Sequence, residues 1–246
     1  MNVLEPIWVS TFTADTYSCI KNRGIHAAAK KVKQALREDP EGTTFCLKLD
    51  IRKFYPSINH DVLKSILRRK LKDKRLLCLL DEIIDSADGV PIGNYLSQYF
   101  ANLYLTYFDH WIKEQKRVKH YFRYADDIVI LASDKSYLHS LMGEIRAYLG
   151  DLKLEVKGNW QVFPVAARGI DFVGYVFFHT HTRMRKGIKK TFCRWLAKLN
   201  KRKRPLSEKD FKQAICPWWG WAKSCDSKHL IKKLSKTSKY EIKFKR

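Results

Sequence analysis

The sequence predicts an α+β fold in which helices interleave with an antiparallel sheet and a separate helical part follows. Three observations predict it. Alternating or bulky apolar runs mark a strand at 43–51 and two more on either side of 126, which meet there as a hairpin. Apolar residues at helical spacing mark helices over 22–39, 59–73 and 135–152. The charge also changes abruptly near Arg183. Of 48 Lys+Arg and 25 Asp+Glu, 22 basic and 4 acidic residues lie from Arg183 onward, a net of +18; residues 1–182 hold 26 and 21, a net of +5. The expected division is 1–182 and 183–246.

In chain order, "NRGIHAAAKKVKQALRED" turns Ile25, Ala28, Ala29, Val32 and Leu36 to one side and lysines to the other, and "PEG" ends it. "TTFCLKLDI" (43–51) alternates as a strand with Asp50 near its end. Pro56 and Ser57 stop it, and Asn59 is placed to cap the amphipathic helix that follows. "LLCLLDEIIDSA" reads as another helix, and after "DGVPIGN" one long aromatic-rich helix is expected over 95–115. "KHYFRYADDIVILAS" reads as a hairpin with "ADD" at its tip, "KSYLHSLMGEIRAYLGDL" as a helix, and "LEV", "WQVFPV" and "GIDFVGYVFF" as short strands. Beyond "HTHTRMRKG" basic helices are expected.

Composition narrows the function. Hydrophobic content of 45% with 13% aromatics excludes a disordered chain. A net charge of +23 suits a polyanionic partner, nucleic acid before an anionic membrane surface. The six cysteines form no C-x-x-C pair or zinc spacing and read as reduced thiols. Without an apolar run of membrane-spanning length or a signal-peptide start, a cytoplasmic protein that does not engage membrane is expected.

The chemistry centres on "RYADDIVIL" (123–131), which sets Asp126 and Asp127 among apolar strand residues. At a tight hairpin turn both carboxylates can project into one cleft, and buried like charges repel unless a cation neutralises them. Asp50 offers a third acid at a strand end. Three such acids make an oxygen site for Mg²⁺, which takes its remaining ligands from water and phosphates. Two such ions clamp the attacking and leaving oxygens of a phosphoryl transfer. These residues point to metal-dependent phosphoryl transfer on nucleic acid.

The sequence also resembles a known family. "LDIRKFYPSI" (49–58), "GNYLSQYFANLYL" (93–105), "YADD" (124–127), "LEVKGNW" (154–160) and "GIDFVGYVF" (169–177) stand in the order of the reverse transcriptase palm motifs. With the fingers-like "DTYSCIKNRGIHAA" (15–28) and a thumb around "WWGWAKS", the resemblance covers nearly the whole chain. Bacterial group II intron enzymes usually carry Gln before the Gly of the third motif and Ser-Pro at its end. Here Ile92 precedes Gly93, and Ser97-Gln98 closes the stretch. That form, with "CIKNRGIH" and "RGIDFVGY", resembles the reverse transcriptases of diversity-generating retroelements.

The resemblance implies a right-hand polymerase: fingers and an antiparallel palm sheet over 1–182, and a basic helical thumb over 183–246. It implies error-prone copying of a template-repeat RNA into cDNA, most errors falling opposite adenine, by a bacterial or phage-encoded enzyme. The implied partners are template RNA, primer or cDNA, deoxynucleoside triphosphates and a small basic accessory protein. Asp50, Asp126 and Asp127, with the Ile51 carbonyl, would hold two Mg²⁺ ions, for which Mn²⁺ is a substitute. Tyr55 would exclude the ribose 2′-hydroxyl, or else pack as an ordinary aromatic. Gly93 and Ile92 would lie against the nascent base pair, or else serve only as a turn glycine after Pro91 and an apolar filler beside it. Lys21 and Arg23 would grip the triphosphate, unless they only begin a solvated helix. Ser97, Gln98, Lys157, Arg183, Arg185, Lys186, Arg202 and Arg204 would meet nucleic acid, with Lys157 also placed to protonate pyrophosphate. Phe172 and Tyr175 would belong to the primer grip or simply to the core. Trp218, Trp219 and Trp221 would form the thumb core or stacking surfaces. His179 and His181 are expected to be surface residues.

Relatives usually carry a further finger segment before the point corresponding to "VLEPIW", so either the start is internal or truncated or another element compensates. The rival readings are a retron, group II intron-related or defence-associated reverse transcriptase of ordinary fidelity, and a non-catalytic RNA-binding remnant.

Overall fold

The computed structural model describes residues 3–91, 93, 95–240 and 242. A four-stranded antiparallel sheet organises it, ordered β2 (His120–Tyr124), β3 (Asp127–Ala132), β1 (Phe45–Asp50), β4 (Gln161–Pro164). Before β1 come α1 (Leu4–Val9) and α2 (Ile25–Glu38); between β1 and β2 come α3 (His60–Lys70), α4 (Lys74–Asp85), α5 (Tyr95–Tyr104) and α6 (Thr106–His110). Helix α7 (Lys135–Asp151) joins β3 to β4, and a short α8 (Val165–Arg168) leads into a second sheet, β5 (Ile170–Phe172), β6 (Tyr175–Phe177) and β7 (Thr182–Met184). Helices α9 (Lys186–Asn200), α10 (Glu208–Lys223) and α11 (Lys228–Thr237) follow.

Both faces of the large sheet are covered, so the strand side chains divide by alternation. Leu47, Leu49, Ile128, Ile130 and Tyr121 join the core built with α3, α5 and α7. Cys46, Val129, Leu131 and Phe122 join α2 and the small sheet on the other face. This double coverage explains why β3 reads as an unbroken apolar run. The last three helices close around a cluster of their own that includes Phe192, Leu196, Phe211 and Ile215.

Local chemistry fixes several ends. Asn59 caps α3 as expected, its side chain accepting from Val62 N at 3.1 Å. The turn between β5 and β6 is the residue pair Val173 (φ 42°) and Gly174 (φ 86°); a Cβ on Gly174 would lie 2.5 Å from the Trp221 ring.

Three expectations change. The single helix over 95–115 is interrupted at Leu105 (φ −97°, ψ 1°) and ends in a π-helical turn, Trp111–Gln115. "LEV" contributes only the bridge Val156–Ile51. Strand β7 runs through the charge boundary at Arg183, so the helical part begins at Lys186. Among the described residues no helix is long and apolar enough to cross a membrane.

Candidate active site

The β1–β3 register sets Asp50 directly opposite Asp127 at the end of both strands. Asp126 lies in the β2–β3 turn, where Ala125 takes a left-handed conformation (φ 55°) and lets the chain reverse. Ile51 N donates to Asp126 O at 3.3 Å, tying the turn to the continuation of β1. The backbone thus delivers all three acids to one edge of the sheet.

Their charges are only partly answered. Lys157 Nζ donates to Asp50 Oδ1 at 2.6 Å, and Lys157 N donates to Asp50 O at 2.8 Å. Lys48 Nζ stands 3.5 Å from Asp127 Oδ1, which is buried and has no hydrogen-bond partner. Burial raises the Asp126 carboxyl above its ordinary range, and the Asp50 charge adds to this. Burial likewise pushes Asp127 up to about 6, with Lys48 opposing. The Asp50 ion pair raises the Lys157 ammonium.

This donor set fits a hard divalent cation. Carboxylate and peptide oxygens are the ligands Mg²⁺ prefers, and an orphaned carboxylate oxygen between desolvated like charges is a place where positive charge is stabilised. Among the described residues no three metal-ligating side chains already close around one point. Two lysines serve as counter-ions to Asp50 and Asp127 instead.

One network escaped the sequence reading. Arg123 and Asp109 are both fully buried and joined twice, Nε to Oδ1 at 2.8 Å and Nη2 to Oδ2 at 2.6 Å. Tyr121 OH and Thr16 Oγ1 donate to the same carboxylate at 2.5 and 3.0 Å. Arg123 Nη1 also donates to Ala125 O at 3.1 Å and Asn102 Oδ1 at 3.2 Å. The pair therefore clamps the left-handed residue of the acid-bearing turn to α5 and α6. A signal was present in the sequence: an arginine between Phe122 and Tyr124, in a strand with no exposed face, needs a buried acid.

The other expected residues divide. Tyr55 is half-buried in a 3₁₀ turn, close enough to Asp126 for the carboxylate to raise its hydroxyl's pKa after burial does. Gly93 takes φ 101° with open space where a Cβ would stand, while Ile92 lies outside the described residues. Lys21 is exposed. Arg23 is partly committed elsewhere, donating Nη1 to Thr13 O and Thr16 O at 2.6 and 3.0 Å as a brace for that loop.

Ser97 is 2% exposed, because α5 turns it inward with Phe100, Ala101 and Tyr104, so it offers no surface to nucleic acid; Gln98 beside it is half-buried. Arg185 is held by Asp171, Nε to Oδ1 at 2.6 Å. Arg183, Lys186, Arg202 and Arg204 are exposed. Phe172 and Tyr175 are fully buried. Trp218 stacks on Phe192 at 4.9 Å and Trp221 packs on Tyr175 at 5.2 Å, so both serve the interior, and Trp219 is partly buried against the helical cluster.

Residues 1–177 match the family described as reverse transcriptase (RNA-dependent DNA polymerase). The chain belongs to that family. Protein YkfC of Escherichia coli K12 is 24% identical over 225 residues, covering 73% of this chain and 59% of that protein. An uncharacterized 91 kDa protein in the cob intron of Schizosaccharomyces pombe is 27% identical over 163 residues, covering 61% of this chain and 19% of that protein. The chain thus spans less than two thirds of either curated relative.

Telomerase from Candida tropicalis in complex with a fragment of telomeric RNA superposes at a TM-score of 0.60 with 14% identity, covering 98% of this chain and 47% of that one. Telomerase from Candida albicans, also with a telomeric RNA fragment, gives 0.57 with 13% identity, covering 79% and 42%. At such identities the likeness concerns the fold, an α+β polymerase fold.

Proposed function

We propose that this chain is an RNA-directed DNA polymerase that extends a primer on an RNA template using deoxynucleoside triphosphates. The observation that carries the reading is the facing pair Asp50 and Asp127, with an unpartnered buried oxygen, in a chain of the reverse transcriptase family. Asp50, Asp126, Asp127 and the Ile51 carbonyl would hold two Mg²⁺ ions, with Mn²⁺ able to substitute. Bound there, the ions would neutralise the charge that builds on the phosphoryl oxygens.

The chain's own residues supply the rest. Lys157 keeps its ammonium proton beside Asp50 and can release it to the departing pyrophosphate. Tyr55, half-buried near Asp126, would exclude a 2′-hydroxyl with its ring. Lys21 and the uncommitted part of Arg23 would steer the triphosphate, Gly93 would border the nascent pair, and Gln98 would meet the template. Residues up to Met184 would serve as fingers and palm, and the helices from Lys186 as a thumb gripping phosphates through Lys186, Arg202 and Arg204. Asp50→Asn or Asp126→Asn keeps side-chain volume and removes a ligand charge, so primer extension on RNA should fall about 10³-fold or more. Near wild-type extension by either variant would sink the assignment.

The finer reading is an error-prone enzyme of a diversity-generating retroelement, working in the cytoplasm of a bacterium with a small basic accessory protein. It is supported by the Ile92-Gly93 and Ser97-Gln98 form of the third motif. An intron-related enzyme of ordinary fidelity is the second reading, favoured by the relative in the cob intron. A non-catalytic remnant is disfavoured, because a decayed site has no reason to keep three acids that repel one another.

Sequencing cDNA made on an adenine-rich template decides between the first two. Glutamine before Gly93 could hold the template base in register by a hydrogen bond that isoleucine lacks. Ile92→Gln should therefore lower misincorporation opposite adenine with total synthesis retained. A low error rate in the wild type would count against the retroelement reading.

A further inference from the structure

The catalytic edge leaves the far end of the molecule unexplained. There the chain between β6 and β7 carries Phe178, His179 and His181. His179 Nε2 lies 3.0 Å from Thr43 Oγ1, just before β1 begins. Asp50 ends the same strand, so at strand rise the two places are about 20 Å apart.

A cleft of about 600 Å³ opens here between the chain at 178–182 and α2. Lys30, Lys33 and Arg37 line it at helical spacing, forming one cationic stripe. Lys33 Nζ donates to Ser224 O at 3.1 Å, which leaves its charge unneutralised, and Arg37 stands 3.6 Å from the exposed Glu38. The lining carboxylate is Asp226, whose Oδ2 accepts from Thr182 N at 2.9 Å. A second cleft of about 460 Å³, sharing Phe178 and Asp226, continues past Arg168, Arg183, Lys186 and Lys189.

Between the two clefts stands a stack. The Phe178 and His181 rings lie 4.6 Å apart and 12° from parallel, and the Arg183 guanidinium lies 5.2 Å from the Phe178 centroid. His181 borders the first cleft and Arg183 the second. His179 and His181 do not converge as metal ligands, one going to Thr43 and the other to Phe178.

We propose that this double cleft is a binding site for unpaired RNA, separate from the polymerase centre, in which Lys30, Lys33 and Arg37 track phosphates and a base stacks on His181. A cationic groove interrupted by aromatic faces is what single strands require. A duplex keeps its bases stacked on one another and has no use for such a face. The clefts also have the volume of a few small groups rather than the breadth of a duplex. The site would hold a stretch of RNA remote from the copied residues. It does not depend on the polymerase reading, since binding is measured without synthesis.

The test uses the full chain and a fluorescent 12-nucleotide oligouridine carrying one 4-thiouridine. Each phosphate contact on a single strand contributes about 0.7 to the salt slope. Lys30→Ala/Arg37→Ala should therefore lower the slope by about 1.4 and the affinity about 20-fold at 0.1 M salt. His181→Ala should weaken binding roughly fivefold or more and His181→Tyr should restore it. Photocrosslinks should fall on residues 178–183. Crosslinks confined to residues 190–223, outside both clefts, with an unchanged slope would overturn the proposal. So would loss of polyglutamate binding in the double variant without loss of oligouridine binding, which would mark the cleft as a surface for an acidic protein. Primer extension on a short template should be unchanged in the Lys30 and Arg37 variants, which separates this site from the catalytic one.

Discussion

The sheet and the C-terminal helices handle charge in opposite ways. At the sheet, Arg123 of β2 and Asp109 of the helix α6 packed on it are wholly buried, doubly bonded and surrounded by further donors. Among the helices, cations such as Arg202 and Arg204 stand exposed on the segment between α9 and α10. Buried charges demand fixed geometry because an unpaired one is expensive to desolvate. Exposed charges act collectively through a field that salt screens. The first arrangement suits positioning of reacting groups, and the second suits holding a polyanion of any sequence.

The largest expected effect tests the buried half of that contrast. Asp109→Asn leaves the Arg123 guanidinium without its counter-charge and should cost about 3–5 kcal/mol, read as a fall of several degrees or more in Tm. Asp109→Leu/Arg123→Met removes both charges and should recover most of that stability. It would not recover primer extension, because the donor to Ala125 O is gone. If extension recovers with stability, the pair is a structural brace and nothing more.

Arg202→Ala/Arg204→Ala probes the exposed half. The salt slope for single-stranded RNA should fall by about 1.4 while Tm scarcely moves. A large loss of Tm with an unchanged slope would reverse the contrast between the two regions.

The smallest effect concerns Asp39, the half-buried acid of an ion pair on the sheet side. Hydrogen bonds from His120 (2.7 Å) and Lys119 (2.6 Å), and from Gly42 N (3.0 Å), hold its carboxyl well below the ordinary range. A depressed acid contributes stability above its unfolded pKa of about 3.9 and loses it as pH falls through the lower folded value. Wild type should therefore lose Tm faster than Asp39→Asn below about pH 4. Parallel curves would show that this pair contributes nothing.

Much of the fold and the facing acids was legible because alternation and helical spacing survive in a single chain. The β2–β3 hairpin and Asn59 cap follow from "RYADDIVIL" and "NHDV" alone. The break at Leu105 did not follow, because neither glycine nor proline marks it. Thr106 Oγ1 bonds back to Asn102 O at 3.1 Å there, and Asp109 beyond it meets Arg123, so tertiary contacts set this break rather than local propensity. β7 was missed because three residues carry too little periodicity. The burial of Ser97 and the engagement of Arg185 were equally invisible, since sequence spacing does not say which partner a side chain will find.

The passage of β7 through the charge boundary changes how the helices can swing. Met184, paired with Tyr175, is the last laddered residue, so α9 leaves the sheet at Arg185 and Lys186, while the end of α10 is tied back to the sheet by Trp221 on Tyr175. Arg185 grips Asp171, whose carbonyl accepts from Lys48, and Lys48 is the cation beside Asp127. A pull on α9 would reach the acid-bearing edge through Arg185, Asp171 and Lys48, making the root of that helix a strain gauge for the three facing acids.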